Sequence, residues 1–476
     1  MDFIHNIVND LNNILWSYLL IGLLLGLGLY FTIRMKLVQI LKIKEMFNVL
    51  KDRNEGISDS DQKSITSLQA FFIGAATRIG TGNVAGVAMA IAVGGPGAVF
   101  WMWIVAILGG ASAFVESTLA QIYKVKDKEG FKGGPAYYMR KQLGSKWLSS
   151  MFALGIILSF GLTFNAVQSN TITAAFTNSF KLDGSIVGVI LVLLTALIIF
   201  GGVHRIAKFS AIVVPIMAGF YILLAAYVVL TNLSAVPAVF ALIVKSAFGM
   251  EQVMGGGIGA AIMMGVKRGL FSNEAGMGSA PNAAATAVVS HPAKQGFVQA
   301  LGVFFDTLIV CTATAFIILL SDSYTTGLQG VELTQASMAE HFGSWASTFL
   351  AIAIFMFAFS SIIGSYYYGE TNIEFVHKSK LALLVYRILA LGMVMFGSVA
   401  NLQFVWDFAD LAMAVMALTN LVAIALLGKY AFKTLDHYLE QRKQGLDPVF
   451  YADDIEGLKG VESWPLREEK KVRKIS

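Results

Sequence analysis

The chain has 476 residues, 56% of them apolar and 14% charged. A soluble chain carries about 25% charged residues, so the charge here is too thin to cover a globular surface in water, which excludes a soluble enzyme and a disordered chain. The net charge is +5, and a single cysteine, Cys311, excludes a disulfide framework and a cysteine-based metal cluster.

A helix that crosses a bilayer needs about 20 mostly apolar residues. Eleven stretches meet that length, near 14–33, 67–93, 98–123, 147–170, 185–203, 209–231, 250–269, 297–320, 345–368, 381–400 and 404–428. The expected fold class is therefore all-α integral membrane, with eleven transmembrane helices. The 46 glycines against 8 prolines suit close helix packing in lipid. The first stretch follows an acidic, lysine-free lead with Asp2 and Asp10. It has no basic segment or small-residue cleavage site, so it reads as a retained helix.

Orientation follows from lysine and arginine. The segments 34–66 and 124–146 carry seven each and the tail from Lys429 carries ten. Arg205, Lys208, Lys267, Arg268, Lys294, Lys378 and Lys380 fall in loops of the same side, and the opposite loops hold only Lys181 and Lys245. This places the N-terminus outside and the tail in the cytoplasm of a multi-pass cell-membrane protein. The basic residues are used by that asymmetry, and no nucleic-acid partner is implied. Three stretches fit no simple span. Residues 236–247 read as an external interfacial or re-entrant helix and 275–289 as a cytoplasmic helix under the bundle. The mixed-charge tail 429–476 reads as a solvated, partly disordered extension, with a regulatory docking site as the alternative.

The second stretch contains Arg78-Ile79-Gly80-Thr81-Gly82-Asn83 at mid-depth. Each glycine costs a helix about 1 kcal/mol against alanine, and unwound backbone in a membrane survives only where it lines a cavity. An unwound turn frees carbonyls for a cation and exposes half-helix amides to a carboxylate. Alternatively Gly82 and Gly86 form a small-residue packing face. Arg78 favours the break, because a charge at mid-membrane usually marks function. The seventh stretch repeats the pattern at Gly255-Gly256-Gly257-Ile258-Gly259. Spans two to six and seven to eleven form two five-helix blocks of opposite entry, each opening on a glycine-broken helix, which is the pattern of an inverted-repeat secondary transporter. The expected organisation is 1–66 (N-terminus, extra helix and basic loop), 67–231 (first repeat), 232–428 (second repeat) and 429–476 (tail).

The run Gly94-Gly95-Pro96-Gly97-Ala98-Val99-Phe100-Trp101-Met102-Trp103 resembles the signature of the alanine/glycine:cation symporter family. So do Gly80–Asn83 and Arg268-Gly269-Leu270-Phe271-Ser272-Asn273-Glu274-Ala275-Gly276. The resemblance implies a LeuT-type fold, a 5+5 inverted repeat preceded by one extra helix. It also implies cation-coupled uptake of small neutral amino acids with no cofactor or covalent chemistry, and with sodium or protons as coupling ion. Carried over, the amides near Gly80, Thr81 and Gly82 would hold the substrate carboxylate, and Gly255, Gly256 and Gly257 would be the matching turn. The carbonyls of Ala76 and Ile79 with the Ser360 and Ser361 hydroxyls would face one sodium, and Asn83 would supply an oxygen to a second. Hard oxygen ligands suit sodium. Gln168 matches a position that looks toward substrate, although an interhelical hydrogen bond also explains it.

One departure concerns size. Family members often carry tryptophan where this chain has Ser365, so the pocket would admit more than alanine, with glutamine the natural candidate. Among the other intramembrane charges, Arg78 and Glu116 could pair as a gate or a strut. Asp306 could couple protons or simply be a hydrogen-bonded structural acid. Asp407 and Asp410 share a face near the external end, where water reaches them. A channel would want symmetric subunits and a repeated filter. An intramembrane enzyme would want a base, and all six histidines fall outside the span centres. The expected function is sodium-coupled uptake of alanine, glycine and possibly glutamine by alternating access, not catalysis.

Overall fold

A computed structural model describes residues 2–52, 65–127, 130–200, 202–250 and 257–467. In chain order its principal helices are α1 (Ile7–Arg34), α2 (Ser67–Arg78), α3 (Gly82–Gly94), α4 (Gly97–Ile122), α5 (Lys146–Phe180), α6 (Gly184–Ile199) and α7 (Gly202–Thr231). They continue as α8 (Val236–Ala247), α9 (Ile258–Asn273), α10 (Ala293–Leu319), α11 (Gly330–Phe342), α12 (Trp345–Val376), α13 (Lys380–Val399) and α14 (Leu402–Lys443). A hairpin of β1 (Val125–Asp127) and β2 (Gly130–Lys132) follows α4.

Among the described residues, eight helices are long and apolar enough to cross a membrane, or nine if the bent pair α2–α3 is one span. The sequence offered eleven. The two that fall short, α6 and α9, are 16 residues each. At 1.5 Å per residue that is about 24 Å, against a hydrocarbon core of about 30 Å.

The pair α2–α3 bends by 51°. Thr66 starts α2 with a reciprocal capping box to Gln69, and Ile79 leaves the helix at ψ 87°. A second break follows α9, beyond the glycines the sequence pointed to. Gly255 and Gly256 fall outside the described residues, and Gly257 merely precedes the exposed start of α9. The interruption comes after Asn273, where Glu274, Gly276 and Gly278 take φ of 60°, 81° and 88°. Two glycines make that left-handed path inexpensive. Nor is 275–289 a helix under the bundle: it is buried throughout and holds one short helix, Pro281–Ala284.

Three further expectations change. Lys267 and Arg268 belong to no cytoplasmic loop. They lie on α9, where Arg268 makes two bonds to Asp410, at 3.1 and 2.6 Å, and Lys267 a third at 2.7 Å. Asp410 is accordingly buried rather than washed by water. The described part of the tail, 429–467, is no solvated extension either: α14 runs on to Lys443, and Phe450, Ile455 and Trp464 beyond it are buried.

Candidate functional site

The break between α2 and α3 is pressed between α5, α9 and α12. A methyl group at Gly80 would collide with Ser361 Oγ and approach Gln168 Oε1 to 3.0 Å. One at Gly82 would come within 3.1 Å of both the Phe271 ring and the Ser272 backbone. Glycine is required here by close approach, and the same approach brings the first repeat's break against the end of α9. Three helices carry a wide π-type turn around this point: Gly82–Gly86 in α3, Ile157–Phe164 in α5 and Phe305–Cys311 in α10. Such turns concentrate at functional sites.

The first oxygen cluster lies on the Ser361 side. The Ser361 hydroxyl, with one proton to donate, lies within reach of the carbonyls of Ala76 at 2.9 Å, Thr77 at 3.2 Å and Ile79 at 3.4 Å, and of Phe357 in its own helix at 3.1 Å. Ser360 reaches Ala76 at 3.5 Å while bonding Phe357 in its own helix at 2.8 Å. Three freed carbonyls and two hydroxyls thus converge, all hard oxygens, and this donor set fits a sodium ion. Thr77, the one member the sequence did not suggest, follows from the same unwinding that exposes Ile79.

The second cluster surrounds Asp306. Asn83 Nδ2 donates to one carboxylate oxygen at 2.6 Å, while Ser272 and Thr307 donate to the other at 2.8 and 2.9 Å. Asn83 Oδ1 accepts the Gly80 amide at 2.9 Å. Asn83 therefore pins the break on itself and joins it to α10. Gln168 Oε1 accepts the Thr81 amide at 3.1 Å, so Gln168 braces the break. Both Thr81 Oγ1 and Ser365 Oγ are buried without a partner, as is Asn273 Nδ2. Ser365 lies one turn beyond Ser361 on α12 and shares no described hydrogen bond with Gln168.

Above these clusters stands an aromatic wall that the sequence did not reveal. Phe164 stacks on Phe271 at 4.4 Å, and Phe271 meets Trp406 at 4.8 Å. The Arg268 guanidinium sits 4.5 Å over Trp406. Trp406 also lines a cavity of about 260 Å³, together with Ala85, Thr171, Gly327 and Glu332. Phe271, Ser272 and Asn273 belong to a run that carried the family resemblance, so a signal existed, but spacing alone gave them no role.

Arg78 and Glu116 do not pair. Glu116 accepts the amides of Gly276 and Gly278, both at 3.1 Å, and Asn420 Nδ2 at 2.7 Å. It is a clamp on the left-handed turn after α9. All three Arg78 nitrogens are buried and unbonded, packed against Gly302 and near Gln299, whose amide is also unpartnered.

A model of the sodium:alanine symporter family matches residues 1–452. The chain is 58% identical to the amino-acid carrier protein AlsT of Bacillus subtilis over 97% of its own length and 98% of the relative's. It is 56% identical to the probable sodium/glutamine symporter GlnT of the same organism, over 98% and 97%. The sodium/alanine symporter AgcS of Methanococcus maripaludis is 36% identical over 93% of this chain and 99% of that one. The chain belongs to the sodium:alanine symporter family. It is a multi-pass membrane transporter, and the family couples amino-acid movement to sodium. Its fold is similar to that of MhsT, solved in complex with L-phenylalanine, with a TM-score of 0.58 and 15% identity over 77% of this chain and 90% of that one. That likeness supports the LeuT-type architecture.

Proposed function

We propose that this symporter carries one sodium ion on the Ala76, Thr77, Ile79, Ser360 and Ser361 oxygens and a small neutral amino acid beside it. The substrate carboxylate lies at the first turn of α3, on the Gly82 amide and on the Thr81 amide once the carboxylate displaces Gln168 Oε1 from it, where the helix dipole is positive. The observation that carries the reading is the Ser361 hydroxyl touching three carbonyls of a broken helix. A serine at that point exchanges its donated proton for a lone pair once a cation arrives.

Phe271, Ser272 and the unpartnered Thr81 and Asn273 groups line the substrate's other side. Asp306 is held by three donors next to Asn83 and Ser272. It supplies the negative charge the ammonium needs, and joins both breaks to α10. Ser365 in place of a bulky aromatic extends the pocket along α12, and glutamine is admitted with alanine and glycine. The finer topology is eleven spans with α6 and α9 crossing where the bilayer is locally thinned, the N-terminus outside and the tail cytoplasmic, as the basic loops direct. Removing Lys267 and Arg268 from those loops leaves the asymmetry intact.

The test is uptake of labelled alanine, glycine, serine and glutamine into proteoliposomes with and without an inward sodium gradient. Saturable uptake of alanine and glutamine that vanishes without sodium is expected. Equal uptake from potassium medium would refute sodium coupling, and exclusion of glutamine would return the substrate to alanine and glycine.

A further inference from the structure

The turn between α12 and α13 opens a groove on the outside of the bundle. A cavity of about 420 Å³ lies there between α5, α12 and α13. Ile157 and Leu162 line it from α5, and Leu381, Val385 and Leu389 from α13. Those three α13 residues are exposed, so the groove is open toward lipid, while Tyr386 is its buried member. His377 and Ser379 line its polar end.

The groove has the depth of one leaflet. From Ser379 to Leu389 the helix rises about 15 Å, half of a hydrocarbon core of about 30 Å. Its polar end therefore falls at the headgroups, and that end is basic. Lys378 and Lys380 flank Ser379, both exposed, and among the described residues neither has an ion-pair partner. The acids nearby on α12 are engaged elsewhere: Glu374 is bonded to Lys132 at 2.8 Å and Glu370 to Arg387 at 3.0 Å. Ser379 Oγ accepts the Leu381 and Ala382 amides at 3.2 and 3.5 Å, which leaves its proton to donate.

The floor of the groove touches the helices that hold the site. Tyr386 donates to the Tyr366 carbonyl at 2.8 Å and stacks on the Tyr366 ring at 5.3 Å. A methyl group at Gly161 would come within 3.0 Å of its ring, and one at Gly369 would collide with its hydroxyl. Tyr386 is thus a wedge between α5 and α12. Ser361 and Ser365 lie on α12 just before Tyr366, and Phe164 of the aromatic wall closes the same wide turn of α5 that supplies Ile157 and Leu162.

We infer that this groove seats one anionic phospholipid. An acyl chain lies against Ile157, Val385, Tyr386 and Leu389, and the phosphate takes Lys378, Lys380 and the Ser379 hydroxyl. The chain presses Tyr386 inward, so the lipid braces α5 and α12 from behind and supports transport. By the orientation proposed above, the leaflet is the cytoplasmic one.

The test titrates the purified protein in detergent with phosphatidylglycerol or with phosphatidylcholine of the same chains, and reads retained lipid by native mass spectrometry. The parent should hold one phosphatidylglycerol at a concentration about tenfold below that needed for phosphatidylcholine. Lys378→Gln with Lys380→Gln should erase that preference, and Lys42→Gln with Lys44→Gln, exposed elsewhere, should keep it. Val385→Trp, which fills the groove, should lower retention of both lipids at least fivefold, and Leu389→Trp serves if that chain does not fold. Glycerol phosphate, which has the charge without the chains, should displace nothing at equal concentration. Sodium-driven alanine uptake into phosphatidylcholine vesicles should rise at least twofold when phosphatidylglycerol is included, in the parent and not in the Lys378/Lys380 variant. Equal retention of the two lipids, a preference that survives loss of both lysines, displacement by glycerol phosphate, or a parent dimer that Val385→Trp splits would overturn the site. Uptake indifferent to phosphatidylglycerol would overturn the bracing. An absence of alanine uptake from every vesicle would count against the transport reading instead, and retention in detergent, which is blind to orientation, would still decide the lipid site.

Discussion

Replacing Ser361 with alanine removes one of about five oxygens around the proposed ion. The loss should be roughly 1–2 kcal/mol, near tenfold in apparent sodium affinity, with maximal uptake changed less. Sodium activation curves of the purified variant in liposomes check this, and an unshifted curve would take Ser361 out of the site. Ser365→Trp tests the enlarged pocket proposed along α12. Steric exclusion of a larger ligand is severe, whereas a well-packed methylene gains a smaller one only ~1–3 kcal/mol. Glutamine uptake should therefore fall at least tenfold while alanine uptake persists. Competition of unlabelled glutamine against labelled alanine in parent and variant reads this directly, and a parent in which glutamine never competes ends the enlarged-pocket idea. That the oxygens of Ala76, Ile79, Ser360 and Ser361 converge was legible because oxygen chemistry and the family motif pointed to the same residues. Asn83 and Gln168 were not, because a side-chain amide in a sequence gives no sign of whether it faces a ligand or braces the backbone, and here both brace it.

The two breaks were legible to different degrees, for a physical reason. At Gly80–Gly82 the glycines flank polar residues and an arginine in the middle of an apolar run, and no helix start competes for them. Among the described residues Gly257 precedes α9 and Gly259 lies in its first turn, and composition cannot distinguish an interruption from a beginning. The true second break depends on Glu116, more than 150 residues earlier, which holds the Gly276 and Gly278 amides. Glu116→Ala strips the acceptor from two amides of that turn and one bond from Asn420, and leaves the two buried amides unpaired, at about 1–3 kcal/mol each. It should lower the thermal midpoint in detergent by several degrees and abolish uptake. Glu116→Gln, which keeps one acceptor, should fall between, and a midpoint equal to the parent's would show that the turn holds itself. The count of eleven spans exceeded the eight or nine long apolar helices because hydropathy measures composition, and α9 carries Lys267, Arg268, Ser272 and Asn273 inward on a 16-residue helix.

At the scale of the molecule, charge joins the membrane bundle to the chain beyond it. Lys124 is buried between the rings of Phe131 and Trp464, at 4.3 and 5.0 Å, and donates to the Ala287 carbonyl at 2.8 Å. Burial lowers its pKa from the ordinary lysine value to about 7. The folded state thus holds this proton less tightly than the unfolded chain. The folded protein gains stability as pH rises from about 7 toward 10, and the gain is absent below 7, where lysine is charged in both states. Lys124→Met should flatten the rise of thermal midpoint between pH 7 and 9, and an identical rise in the variant would assign it to other groups. The tail's docking was hidden from the sequence because Phe450, Ile455 and Trp464 are too sparse in a mixed-charge segment to form a periodic face. The central claim is that both broken helices build one site in which ion and amino acid meet. Linkage then requires each to tighten the other by the same factor. The most direct measurement is equilibrium binding of labelled alanine against sodium concentration, paired with labelled sodium against alanine concentration, on the purified protein. Equal, reciprocal enhancement that collapses in Ser361→Ala is the predicted result, and alanine binding that ignores sodium would contradict it.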